Sequence, residues 1–255
     1  MTGPQAPLRS NRRSTVAAGM LALSILGWGL LAWMAVDMDS EFAQLAMPTG
    51  PDWDPANLLA IGVMWAVMMA AMMLPSALPM VLTFVDLSER RGQRSRSVGF
   101  VAAYLLAWFA FSAAAVAAQW ALQTAGWINP MIVSTSVFLN AALLVIAGLY
   151  QFSPLKHVCL ARCRTPIGFL LGEWRGGALG SFVMGWRHGL LCLGCCWALM
   201  ALLFVGGVMN LAWIVALSIA VAIEKLAPGG ERVAAVLGVT LVGTGLWKLA
   251  VAMYP

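Results

Sequence analysis

All five cysteines and both histidines of this chain fall between His157 and Cys196. They form two blocks. The first is His157-Val158-Cys159-x-x-x-Cys163, and the second is His188-x-x-x-Cys192-x-x-Cys195-Cys196. Thiolate and imidazole suit soft or borderline metals, which here means Cu(I), Zn(II) or an iron–sulfur cluster. If the second block is helical, its three cysteines and His188 share one face within an arc of about 100°. Cys159 and Cys163 likewise stand one turn apart. Arg162, Arg164 and Arg187 lie close in sequence, and positive neighbours favour the thiolate, the form that binds metal. A single cysteine in a helix is ordinarily a small packing residue; the concentration of every Cys and His in one window is what points to a metal or redox site.

A second sulfur-rich feature precedes these blocks. Met64, Met68 and Met72 recur every four residues, and Met69 and Met73 form a second row beside them. Thioethers favour Cu(I). A methionine stripe taken alone is core packing, because the side chain fills gaps well.

The elements that carry these residues follow from composition. The chain has 255 residues, 62% hydrophobic and 10% charged, far fewer charges than a soluble domain carries. Its apolar runs are long and lack two-residue alternation, so they read as membrane helices and exclude a barrel. The fold class expected is an all-α, polytopic helical membrane protein with about seven spans. These are residues 16–36, 57–84, 98–120, 131–151, 187–206, 209–224 and 233–252, the fifth extending back toward Gly177 as one long helix. A basic segment, residues 1–15, precedes a single membrane domain, 16–255. The first span is expected to be a retained anchor, since its apolar stretch is too long for a signal peptide and no cleavage site follows.

Positive residues fall in alternate connections: Arg9, Arg12 and Arg13; Arg90, Arg91, Arg94 and Arg96; Lys156, Arg162, Arg164 and Arg175; Lys225 and Arg232. The intervening loops lack Lys and Arg, and the first holds Asp37, Asp39, Glu41, Asp52 and Asp54. The positive-inside rule then sets the N-terminus in the cytoplasm and the C-terminus outside, in a bacterial inner membrane. The net charge of +5 is therefore a topology signal and does not indicate nucleic acid.

Depth links the two sulfur features. Met72 and Met73 lie roughly 22–24 Å from the outer start of the second span, and Cys195 and Cys196 lie about 10–12 Å in from the inner edge. The inner methionines and the cysteines can thus share one level. Pro75 and Pro79 are expected to break the helix there and free backbone carbonyls. Residues 152–186 form a long Gly-, Pro- and Arg-rich connection at the cytoplasmic surface. Gly185 and Gly189, like Gly172, Gly176 and Gly180, have the spacing that lets helices approach closely. Arg187, His188, Glu173 and Glu224 should face protein, water or headgroups. There is no nucleophile–base set, P-loop or dinucleotide fingerprint.

The chain resembles a bacterial family of predicted metal-binding integral membrane proteins, otherwise classed as a domain of unknown function. Three motifs carry the likeness: Trp65-x-x-Met68-Met69-x-Ala71-Met72-Met73-x-Pro75; Tyr150-Gln151-x-x-Pro154-Leu155-Lys156-x-x-Cys159-x-x-x-Cys163; and Gly185-x-x-His188-Gly189-x-x-Cys192-x-Gly194-Cys195-Cys196-Trp197-x-Leu199-Met200. They span most of the chain beyond the first span. The resemblance implies a metal-binding membrane protein.

The function expected is binding of a soft metal, with copper(I) ahead of zinc, and its transfer across the membrane without enzymatic catalysis. Met64, Met68, Met72 and Met73 offer a weak path. His188, Cys192, Cys195 and Cys196 form a tighter site, and His157, Cys159 and Cys163 an exchange site. The partners expected are the lipid bilayer, the metal ion, and a metallochaperone or membrane protein, with no nucleic acid. Two alternatives stand beside it. One is a thiol redox enzyme built on Cys192-x-x-Cys195, although the expected topology puts these thiols on the reducing side. The other is a non-catalytic assembly subunit.

Overall fold

The computed structural model describes residues 6–50, 52–92 and 96–253, with side chains from Arg12 onward. Arg94 and the Arg9 side chain lie outside the described residues. The described residues are mainly helical, and among them the sole β-type pairing is an isolated bridge between Ile128 and Ser134.

The main helices are α1 (Ala6–Val36), α3 (Pro55–Arg90), α4 (Ser97–Thr124), α5 (Val137–Tyr150), α8 (Gly177–Ala201), α10 (Leu211–Leu226) and α11 (Gly230–Met253). Four short helices fill the connections: α2 (Glu41–Ala46), α6 (Pro154–Arg164), α7 (Pro166–Glu173) and α9 (Leu203–Gly206). Five segments are long and apolar enough to cross a membrane, and a sixth if α5 and α6 count as one span bent by 62°. The sixth span read from the sequence, 209–224, corresponds to α10, which at 16 residues is shorter than those five. Large apolar side chains such as Leu26, Val98, Leu179 and Trp247 are exposed on the outside of the bundle, a surface that suits lipid contact.

Local chemistry explains the boundaries. Asp54 and Asn57 form a reciprocal capping box that starts α3, with Pro55 in its first turn. Ser136, Ser153 and Asn210 cap α5, α6 and α10 by accepting from the backbone N–H of Leu139, Lys156 and Trp213. Pro154 turns the chain between α5 and α6, which is why residues 152–186 are not an irregular loop but two short helices and the first turns of α8. The fourth span begins later than expected: residues 131–136 are non-helical, and α5 starts at Val137.

Pro75 and Pro79 do not break α3, which runs through both. Proline at position 75 removes the donor for the carbonyl of Ala71, and the Ser24 hydroxyl of α1 donates to that carbonyl at 2.8 Å. Helix α1 thus supplies the hydrogen bond that α3 lacks. The two helices are antiparallel, as the Arg13–Asp86 ion pair and the Ser24–Ala71 contact show.

Glycines set the closest helix crossings. A Cβ on Gly185 would stand 2.1 Å from the Phe100 carbonyl oxygen, and one on Gly189 2.7 Å from Ala107 Cβ. These positions bring α8 against α4, as the four-residue spacing predicts. The basic termini of α1, α3, α4, α8 and α11 gather at one end of the bundle. The acidic connection 37–54 lies at the other, where Gln123 donates to the carbonyls of Pro48 and Gly50.

Candidate copper site

The cysteine face expected on α8 is present and buried: Cys192, Cys195 and Cys196 are all nearly inaccessible. One helical turn sets their relation. The thiols of Cys195 and Cys196 donate to the Cys192 carbonyl at 3.1 and 2.9 Å. The Cys195 thiol lies within electrostatic reach of the Cys192 and Cys196 thiols.

The first cysteine block divides. Cys163 of α6 lies within electrostatic reach of Cys195, so it joins the α8 cluster. Cys159 packs against Gly194, where a Cβ would lie 2.7 Å from the Cys159 sulfur. That contact gives a reason for glycine within Cys192-x-Gly194-Cys195-Cys196. His157 is exposed on the same helix, with Nδ1 3.0 Å from the Ser153 carbonyl, and the structure does not bring it to the thiols.

His188 is buried in an aromatic box. Its ring stacks on Tyr104 at 5.4 Å between centroids and lies 5.8 Å from Phe169 and 6.1 Å from Phe100. Its Nδ1 has no hydrogen-bond partner in the described structure.

The methionine rows of α3 are buried along their length, from Met64 through Met68, Met69, Met72 and Met73. Their inner end meets the cysteines, as the depth estimate requires. Tyr104 of α4 makes the junction: its hydroxyl donates to the Met73 carbonyl at 3.2 Å and lies 3.1 Å from the Cys192 sulfur.

The sequence reading missed the residue at the centre of this junction. Lys225 was counted as a loop charge between the last two spans, yet it is buried, with Nζ 2.9 Å from Cys192 Sγ, 3.3 Å from Ser76 Oγ and 3.9 Å from Met73 Sδ. It is the cation beside the thiols. Two of the expected arginines serve otherwise, since Arg187 pairs with Glu173 and Arg164 donates to the carbonyls of Glu224 and Ala227; Arg162, exposed, stays within electrostatic reach of Cys159. Lys156, also counted as a loop charge, is buried and paired with Glu224 at 2.6 Å. That pair ties α6 to α10 and so fixes Cys159 and Cys163 on one side of the cluster and Lys225 on the other. The signal available in sequence was the adjacent pair Glu224-Lys225 at the end of an apolar run, where one charge can turn inward on its long stem.

Among the described residues no group of three or more His, Cys, Asp or Glu side chains is arranged to hold a metal ion as it stands. The cluster is a set of free thiols, two of them donating to the Cys192 carbonyl, bordered by a thioether, a phenol and an ammonium.

The profile of the PpoB2 copper chaperone family matches residues 62–248. The chain belongs to this family. The matched region contains every cysteine and histidine, the Met64–Met73 rows and Lys225, whereas α1 lies outside it. No curated protein and no solved structure matches the chain. PpoB2 membership connects the chain with copper and suggests a non-enzymatic role, so copper is the metal against which the sulfur cluster of this family member is best read.

Proposed function

We propose that this protein is a membrane-embedded Cu(I) carrier of the bacterial inner membrane. Its tight site is formed by Cys192, Cys195 and Cys196 of α8, joined by Cys163 of α6, and its thioether path is Met64, Met68, Met72 and Met73. The observation that carries this reading is the junction at Tyr104, Lys225 and Ser76, where the end of the methionine row and the first cysteine of the cluster share polar partners. Sulfur then continues from α3 into α8 and on to α6. Weak thioethers leading to thiolates allow a soft cation to move along the path and be retained at its end.

Ligation requires local rotation. Cys195 and Cys196 must turn from the Cys192 carbonyl, and each thiol that binds Cu(I) releases its proton. His188 lies one helical turn before Cys192, and its Nδ1 faces no competing partner. Cys159 of α6, beside Gly194, serves exchange with a metallochaperone or membrane partner. The gathering of positive residues at one end supports a cytoplasmic N-terminus, with the thiol cluster nearer that side.

The test is metal analysis of the full-length protein in detergent under reducing conditions. Wild type should retain Cu(I) against a competing chelator, and the Cys192/Cys195/Cys196→Ser variant should lose that retention. Equal retention by both would remove the thiol site. Reversible two-electron oxidation of these thiols without bound copper would favour the redox enzyme instead.

A further inference from the structure

Three methionines from three separate segments meet at the opposite end of the bundle. Met34 comes from the last turn of α1, Met64 from the third turn of α3, and Met209 from the connection before α10. They line one small cavity of about 10 Å³. Its remaining walls are hydrocarbon side chains, among them Leu31, Val208 and Ile214. Met34 and Met64 are buried, and Met209 is half-buried.

The geometry points to a three-thioether Cu(I) site formed by Met34, Met64 and Met209, the terminal station of the methionine path. The chemistry of the walls selects the ion. No side chain around this cavity carries oxygen or nitrogen, so a hard, strongly hydrated cation finds nothing to replace its water, while Cu(I) accepts thioether sulfur. The volume is about that of one water molecule, which suits a bare ion and excludes a hydrated one.

Two placements make the site functional. Met64 belongs both to this cavity and to the α3 row, so an ion held here has Met68 one turn further along. Met34 stands three residues before Asp37, at the end of the bundle that exposes Asp37, Asp39, Glu41, Asp52 and Asp54. Five exposed carboxylates raise the local concentration of cations without binding them tightly. Residues 207–210, which carry Met209, leave α9 through Gly207 at φ 88°, a conformation that favours glycine. This places the thioether over Met64 and leaves it partly open to the outside.

The inference rests on the Cu(I)-carrier reading, but its test separates the two. Thioethers are neutral and release no proton on binding, whereas thiols do. Cu(I) titration of the full-length protein in detergent, against a chromophoric chelator, should therefore show two classes of equivalent. The Cys192/Cys195/Cys196→Ser variant should keep one equivalent whose affinity is unchanged between about pH 7 and pH 5. Adding Met34→Leu and Met209→Leu should abolish it. In the cysteine-intact protein the two leucine substitutions should remove that equivalent and spare the pH-dependent one, which also shows that the variant is folded. Methyl-¹³C-methionine spectra of the wild-type protein should show the signals of Met34, Met64 and Met209 shifting together with Ag(I). If the leucine substitutions leave the Cu(I) stoichiometry unchanged and these three signals do not move as a set, the thioether site is wrong while the cysteine site stands. If the pH-independent equivalent is present and the cysteine-dependent one is not, the carrier reading fails and this site stands.

Discussion

Lys225 places its ammonium nitrogen 2.9 Å from the sulfur of Cys192, inside the bundle. The adjacent Glu224 is committed to Lys156. A buried ammonium is expensive unless something nearby carries negative charge. On the proposed reading, Cu(I) held by two thiolates would be an anion of net charge −1, and Lys225 would supply the compensating positive charge beside Cys192.

Lys225→Met should therefore weaken Cu(I) retention. Leaving a buried charge without its partner costs about 3–5 kcal/mol, which corresponds to a loss of roughly 10² to 4 × 10³ in affinity. Lys225→Arg, which keeps the charge, should retain most of it. Competition with a chelator in detergent measures both. Unchanged affinity in Lys225→Met would show that the loaded site does not need this charge.

The Lys156–Glu224 pair is a second buried charge system with a structural task, since it joins α6 to α10. Lys156→Met or Glu224→Gln alone should destabilise the folded protein by about 3–5 kcal/mol, while the double substitution should recover most of the loss. Thermal unfolding in one detergent, run as a double-mutant cycle, checks this. Additive losses would show that the two side chains act independently.

Much of the fold was legible because lipid-length apolar runs leave few solutions, and the α8 cysteine face was legible because Cys192, Cys195 and Cys196 are one turn apart. Contacts between helices were not. The meeting of Cys163 with Cys195 depends on a 62° bend at Pro154 and on the Lys156–Glu224 pair, neither of which has a periodic signature. His157 and Cys159 are two residues apart and point to different surroundings, so their shared block did not become a shared site. Lys225 was misread because charges at the ends of apolar runs ordinarily mark topology; its stem lets the amine turn inward. Pro75 signals a missing helix bond, but only the position of Ser24 shows that the bond is replaced. Met34 and Met209 stand outside any repeat, and only tertiary structure brings them to Met64.

The glycines of the four-residue pattern should divide by environment. Gly185→Ala would set a Cβ 2.1 Å from a backbone oxygen of α4, and backbone cannot yield as a flexible side chain can. Little monodisperse protein should be recovered. Gly172→Ala meets nothing within 4 Å and should behave as wild type. Gly194→Ala is intermediate, since its new methyl group meets the Cys159 thiol at 2.7 Å. An overpacking cost of about 1–3 kcal/mol is expected, relieved by adding Cys159→Ala. Size-exclusion profiles and melting temperatures distinguish the three.

His188 offers the sharpest division between packing and ligation. Its ring fills a box of Tyr104, Phe100 and Phe169, and a phenylalanine would fill the same space. Its Nδ1 is buried with no hydrogen-bond partner, and buried polar atoms in native proteins are nearly always paired. If that nitrogen contributes to the copper site, His188→Phe should keep the melting temperature of the metal-free protein, or raise it slightly by removing the unsatisfied atom, and should weaken Cu(I) retention at the same time. His188→Ala should lower both by opening a cavity beside Tyr104. Stability and copper affinity measured on the same two variants separate the roles: a phenylalanine variant with wild-type affinity would assign His188 to packing alone.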